Sequence, residues 1–402
     1  MKKILSLSSL MCILSILFIP LTLGQSVHPK LDAYFNRKMK KADLIGLQVA
    51  SIGHGELVWQ GSYGLKEINT ADSINDSTLF QIASCSKPVT SMGIMLLYDR
   101  GRLDLDADVN SYLPFEIHNP RYPEAPITLR MLLTHTSSLR DNWGVYDTLY
   151  TLPEGGDSPL DLEEYVREYF SQGGIYYHPD KNFANEKPGS SFSYCNMGYA
   201  TLGVIIQEVS GMSFTDFMQT EIFGPLGMHD SYWFLKEIPH DNIARPHRIQ
   251  PSTKKDPHEP EVLNHYGYPS YPDGQLRTTA SDYAQIVKLM VNRGKLNGKP
   301  FLKESTIDEY LAVQYPEVDK YQAICWNYNE FESTLYYLHM PRLPSHTGAD
   351  PGVATVVSFD PVHKTGGIIF SNSPTLTFGG QKIFYQEFMK KLLRIGRKSP
   401  AR

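Results

Sequence analysis

Residues 80–97 read Phe-Gln-Ile-Ala-Ser-Cys-Ser-Lys-Pro-Val-Thr-Ser-Met-Gly-Ile-Met-Leu-Leu, and their reading decides the fold. Apolar Phe80 and Ile82 lead into Ser84-Cys85-Ser86-Lys87, an SxxK tetrad. Val89, Met92, Ile94, Met95 and Leu97 follow it and predict a buried helix. Pro88 is tolerated only in a first turn, where its missing N–H has no partner. The helix is therefore expected to begin at about Ser84, placing that hydroxyl where the dipole and free N–H groups stabilise an oxyanion. At i and i+3, Ser84 and Lys87 share a face within reach for proton transfer. The plain alternative is a capping serine with a surface lysine. A second SxxK, Ser252-Thr253-Lys254-Lys255, lies in a run of Pro, Lys, Asp, His and Glu without a helical face and reads as a solvated loop.

Two further motifs lie downstream. Tyr194-Cys195-Asn196 sits in PGSSFSYCNMGYATLG, where a Pro-Gly turn leads into a helix expected over Ala200–Val209. Another YxN, Tyr34-Phe35-Asn36, precedes any nucleophile. Ser345-His346-Thr347-Gly348 comes before Ala349, Asp350, Pro351 and Gly352, and then a strand. Lys364-Thr365-Gly366 competes for the same role. It falls between a strand ending at Phe359 and one starting near Gly367, so it reads as a hairpin turn, about a strand's length (~23 Å) from a site built at His346.

Around these motifs the chain shows strand character at both ends and a helical middle. Residues 46–63 predict a hairpin, with Leu47, Val49, Leu57 and Trp59 around a His54-Gly55 turn. Val353–Phe359 and Ile368–Phe370 predict strands, with Asp360 and Pro361 opening the turn. A helix is expected over about 280–293, with Tyr283, Ile286, Val287 and Met290 on one face, a Thr279/Asp282 capping pair and a stop at Gly294. A last helix carries Phe384, Phe388, Leu392 and Ile395, with Gly396 beyond it. The implied architecture is α+β. One antiparallel sheet, from about 44–65 and 320–395, is flanked by helices, and a large mainly helical insertion occupies about 84–315. Residues 146–190 and 247–274, rich in Pro, Gly, Asp and Tyr, read as long loops, functional or disordered. Tyr266, Tyr268 and Tyr271 in them read equally as cleft lining or as loop packing.

The order SxxK, YxN, HTG resembles the class C β-lactamase and DD-peptidase family of serine hydrolases, a relative of the SxxK, SDN and KTG set. LLTHTSSL (Leu132–Leu139), GQLRTTASD (Gly274–Asp282) and HTGADPGV (His346–Val353) resemble it too, and the likeness runs from about residue 30 to 395. It implies a β-lactamase/transpeptidase-like fold in which Ser84 forms an acyl-enzyme and Lys87 and Tyr194 share the proton work, either one as base. The backbone N–H groups of Ser84 and Ala349 would form the oxyanion hole. Asn196 would bond the acyl-side amide, and His346, Thr347 and Gly348 would bind substrate, Thr347 at its carboxylate or leaving group. Lowering Lys87 by three units from an ordinary pKa of ~10.4 requires about 4 kcal/mol, which burial beside another cation would supply. His346, neutral at pH 7 unless perturbed, anchors a carboxylate less well than the lysine of a KTG motif. That favours a DD-peptidase- or esterase-like hydrolase of amide or ester bonds, with a β-lactamase as the alternative and a non-catalytic penicillin-binding sensor as a further one. His135 of LLTHTSSL reads as a structural histidine.

Composition fits this reading. The chain has 402 residues, 41% of them hydrophobic, and 38 basic against 43 acidic residues give a net charge of −5, so no basic field awaits nucleic acid. The expected partner is a small-molecule or peptide substrate, and no cofactor or metal is implied. No GxSxG elbow or HExxH pair occurs. Lys2 and Lys3, the apolar run Ile4–Leu23 and the small residues near Gly24 read as a secretory signal spanning 1–24, followed by one hydrolase domain over 25–402. The protein is then exported, periplasmic or secreted, with an uncleaved anchor as the alternative. Four cysteines exclude a disulfide-stapled domain; Cys85 and Cys195, inside two motifs, read as two small buried thiols, with a disulfide between them as the alternative if geometry permits.

Overall fold

The hairpin expected at 46–63 forms as strands β1 (Gly46–Gly53) and β2 (Glu56–Gly64) in the computed structural model, which describes residues 28–250, 259–331 and 342–400. His54 and Gly55 make its turn in left-handed backbone, φ +53° and +79°. The readings placed on residues 1–24 and on Ser252–Lys255 lie outside the described residues. From the other end of the chain come β3 (Ser345–Asp350), β4 (Val353–Asp360) and β5 (Thr365–Ser371). All five strands join in one antiparallel sheet of order β3-β4-β5-β1-β2, closed by β1 against β5 with Val49 opposite Ile369.

Both faces of this sheet are covered, and the period-2 alternation of the strands assigns the layers. Leu47, Val49, Val356 and Ile369 pack against Phe35 and Met39 of the first helix, Pro29–Lys41, and against Phe384, Phe388 and Leu392. Ala50, Ile52, Val357, Phe359, Ile368 and Phe370 face the opposite way. There they meet the helix Ala280–Val291, whose Tyr283, Ile286, Val287 and Met290 are fully buried. That helix begins as expected, with the Thr279 hydroxyl accepting from Asp282 N at 3.1 Å.

Four boundaries differ from the sequence reading. The last helix runs Met389–Lys398, so Gly396 lies inside it. A Cβ there would stand 2.1 Å from Ile52 O: the glycine serves close approach to β1 rather than termination. Lys364 alone of the Lys364–Gly366 triplet occupies the β4–β5 turn (φ +50°), while Thr365 and Gly366 open β5 opposite Asp360 and Phe359. The helix after Tyr194 begins at Asn196 and ends at Ser210. Finally, the mainly helical middle also holds a small sheet, Phe80–Gln81 and Ser231–Tyr232 flanking Arg277–Thr278. This small sheet delivers the chain to Ser84. No helix among the described residues is long and apolar enough to cross a membrane.

Candidate active site

Ser84 lies in a 3-10 turn, Ala83–Ser86, and the helix proper follows over Lys87–Asp99 with Pro88 in its first turn. Ala83 takes φ +47°, a left-handed conformation that costs a residue with a Cβ about 1 kcal/mol and swings the chain out of the strand. The turn is bolted to the large sheet. Thr355 donates its hydroxyl to Ile82 O at 2.7 Å, and Cys85 Sγ reaches His346 O at 3.5 Å. Gly348 touches the same turn so closely that a Cβ would lie 2.6 Å from Ile82 O and 3.1 Å from Cys85 N. The third motif therefore needs its glycine because β3 runs directly beside the serine.

Lys87 is fully buried. Its Nζ lies 3.1 Å from Ser84 Oγ, 2.7 Å from Asn196 Oδ1 and 2.7 Å from Asp273 O. Asn196 cannot turn its amide around, because its Nδ2 donates to Asp141 Oδ2 at 2.9 Å. Both of those oxygens only accept. A neutral amine therefore directs its two N–H groups at them and leaves its lone pair for the Ser84 hydroxyl. Burial depresses the Lys87 pKa, against the pull of the carboxyls of Asp273 and Asp141. The neighbouring cation expected from sequence is not among its described partners: desolvation does the work.

Tyr194 stands across the serine, its hydroxyl in hydrogen-bond contact with Ser84. Its ring is 41% exposed to the cleft, with Lys87 Nζ 5.0 Å from the centroid. Burial of the hydroxyl raises its pKa well above 10, so the phenol is protonated. The ring stacks on His135 at 4.2 Å and 29°. His135 Nδ1 accepts from Cys195 N at 3.2 Å, its carbonyl accepts from Ser193 N at 2.7 Å, and burial holds its ring neutral. This is the supporting histidine the sequence suggested, and what it supports is the tyrosine.

His346 donates Nδ1–H to Thr347 O at 2.7 Å. Burial pushes its pKa down to about 3, so the ring is neutral. Thr347 gives both its N–H, at 3.2 Å, and its hydroxyl to Glu330 Oε1. Ser84 and Ala349 stand where two hollows meet. A cleft of about 720 Å³ is lined by His346, Thr347, Tyr194 and Glu330. A pocket of about 80 Å³ is lined by Asn196, Asp273, Asp350 and Tyr268. The residues singled out in sequence are thus brought together, whereas Lys364, Thr365 and Gly366 line neither hollow. Of the three loop tyrosines, Tyr268 lines the small pocket, while Tyr266 and Tyr271 are buried packing.

Several polar residues of the site escaped the sequence reading. Asp141 accepts from Asn196 N and Met197 N, both at 3.0 Å, besides the Asn196 amide, and so caps a helix 55 residues further along the chain. Asp273 offers its carbonyl to Lys87, and its carboxyl, pushed up to about 7 by burial, takes the Tyr146 hydroxyl at 2.9 Å. Glu330 completes the set, beside Asp350 of HTGADPGV. Asp141, Asp273 and Glu330 belong to no quoted motif; the only hint is that Asp141 and Asp273 adjoin LLTHTSSL and GQLRTTASD. Cys85 and Cys195 are separate buried thiols, so the disulfide the sequence allowed is not formed. Among the described residues, no group of three or more His, Cys, Asp or Glu is placed to hold a metal ion.

Comparison with known proteins decides the family. The Beta-lactamase family model matches residues 31–387. The chain belongs to the Beta-lactamase family. Its α+β architecture is the β-lactamase/transpeptidase-like fold. It is 27% identical over 246 residues to penicillin-binding protein 4* of Bacillus subtilis, covering 61% of this chain and 46% of that one. It is 30% identical over 239 residues to esterase EstB of Burkholderia gladioli, covering 56% and 58%. The matches thus span about half the length of these curated relatives. A solved class C β-lactamase shares the fold at a TM-score of 0.64 and 19% identity, over 93% of this chain and 97% of its own.

Proposed function

We propose that this Beta-lactamase-family protein is an exported serine hydrolase that cleaves ester or amide bonds through an acyl-enzyme on Ser84. One observation carries the mechanism: buried Lys87 has two carbonyl acceptors and the Ser84 hydroxyl around its nitrogen. Neutral Lys87 takes the Ser84 proton as Oγ attacks the substrate carbonyl. The oxyanion lies against the backbone N–H groups of Ser84 and Ala349. Tyr194, protonated at rest, gives its proton to the leaving group and recovers one from the Lys87 ammonium. Water then attacks the acyl-enzyme by the reverse route. With Tyr194 raised and Lys87 lowered in pKa, the lysine is the better base. Asn196 holds Lys87 and faces the small pocket, which suits an acyl group, while Thr347 faces the large cleft, which suits the leaving group. The apolar run after Lys2 and Lys3 supports export, and neutral His346 supports the esterase or peptidase reading over a β-lactamase.

The test is intact-mass spectrometry after mixing with 4-nitrophenyl acetate and, separately, benzylpenicillin. A transient acetyl adduct on the wild type, absent from Ser84→Ala and formed orders of magnitude more slowly by Lys87→Ala, is expected. Rapid penicillin hydrolysis would favour the β-lactamase alternative, and ester turnover undiminished in Ser84→Ala would remove the acyl-enzyme.

A further inference from the structure

Glu330 lies where a substrate's leaving group must pass. Its carboxylate accepts both donors of Thr347, the second residue of the third motif. The backbone sets this position. Asn327 exchanges paired hydrogen bonds with Ser345 at the start of β3, N to O at 3.1 Å in both directions. The Asn327 side chain then accepts from Asn329 N at 2.6 Å, and beyond this turn Glu330 meets Thr347, two residues along β3 from Ser345. The glutamate is held by an added rung of the sheet rather than by a freely swinging side chain.

Burial raises the Glu330 pKa above the ordinary glutamate range, so its carboxyl is ionised only toward alkaline pH. Among the described residues lining the large cleft none is lysine or arginine, and Asp319 adds a second acid. His346, placed where a lysine would begin the motif, keeps its Nδ1–H on Thr347 O. Lys320 and Arg342 both sit on the Tyr321 ring, 5.1 and 4.5 Å from its centroid, while Thr347's two donors are both taken by Glu330. A substrate carboxylate reaching for Thr347 would meet Glu330 instead of donors.

We infer that Glu330 is a specificity-determining residue that closes the leaving-group side of the cleft to carboxylates. It directs the site to esters or amides whose leaving group is uncharged or carries a donor such as a hydroxyl or ammonium. The inference rests on the reading of Ser84 as nucleophile. Specificity of this kind needs a repulsive element as well as an attractive one; Glu330 already occupies both Thr347 donors and, ionised at the alkaline pH of the assay, repels a second carboxylate.

The experiment compares 3-acetoxybenzoate with 3-acetoxybenzamide, esters that differ only in a carboxylate or carboxamide on the leaving phenol. Each kcat/KM is corrected for alkaline reactivity. The wild type should prefer the amide at least about tenfold. Glu330→Gln, confirmed folded by its melting transition, should bring the ratio to within about twofold of one, and Glu330→Lys should invert it. A wild-type ratio near one, or a ratio that both variants leave unchanged, overturns the inference while Ser84-dependent turnover leaves the acyl-enzyme standing. Turnover that survives Ser84→Ala removes the acyl-enzyme and takes this inference with it.

Discussion

Replacing Asp141 with asparagine should damage both stability and catalysis, although the residue touches neither Ser84 nor Lys87 in the structure. Its Oδ2 accepts from Asn196 N at 3.0 Å and Asn196 Nδ2 at 2.9 Å, and its Oδ1 accepts from Met197 N at 3.0 Å. Asparagine keeps the shape but has one accepting oxygen and one donating nitrogen. If that oxygen stays on Met197, both Asn196 donors face an NH2 group. Hydrogen bonds to a charged acceptor contribute about 1.5–3 kcal/mol each, so two lost bonds, partly relieved by rearrangement, cost about 3 kcal/mol. The Asn196 amide escapes by rotating, which turns its Nδ2 toward Lys87 and removes the 2.7 Å acceptor. A lysine so displaced should lower kcat/KM by about a hundredfold, the usual cost of a misplaced catalytic group. Urea unfolding and ester hydrolysis measure the two effects on one preparation. Stability within 0.5 kcal/mol of wild type together with kcat/KM within twofold would refute the cap and the relay from Asp141 to Lys87.

Other perturbations follow from the same geometry. Tyr194→Phe keeps the ring on His135 and removes only the hydroxyl, so the melting temperature should hold while ester kcat falls by about 10²–10⁴; a near-normal kcat would take proton transfer away from the tyrosine. Gly348→Ala pushes β3 off the nucleophile turn, where the new methyl would sit 2.6 Å from Ile82 O, and should cost about 1–3 kcal/mol in urea. An unchanged midpoint would mean the strand and turn separate freely. Burial pushes the His346 pKa down to about 3 from 6.5, so between those values the unfolded chain binds the proton and the folded chain does not. Its contribution to stability is therefore complete above about pH 6.5 and is lost as the pH falls toward 3. His346→Gln should lose less unfolding free energy than wild type between about pH 7 and pH 5, and equal losses would show that the ring is not held neutral.

The sequence legibly carried whatever depends on neighbours along the chain. Pro88 and the apolar run after it announced the nucleophile helix, His54 and Gly55 the hairpin turn, Thr279 and Asp282 a helix start, and alternating Val and Ile residues the sheet. The spacing of SxxK put Ser84 and Lys87 on one face because residues i and i+3 align in a 3-10 turn, which forms here before the helix, as they do in an α-helical one. It also separated the two candidate third motifs, since a lysine in a β-turn lies a strand away from the serine. Boundaries were read less well where a glycine has two uses: Gly396 looked like a stop but is a contact with β1.

Only the folded chain decided what surrounds those motifs. Asp141, Asp273 and Glu330 arrive from three separate segments with no spacing rule linking them to Ser84. Which end of the Asn196 amide faces Lys87 depends on Asp141, the lowering of the lysine's pKa depends on burial rather than on a second cation, and the partner of Thr347 is an acid. Helical and strand periodicity are local properties of the backbone and can be read in order along the chain. Desolvation and hydrogen-bond direction depend on which atoms stand within a few ångströms in space, and that is fixed only when distant segments pack.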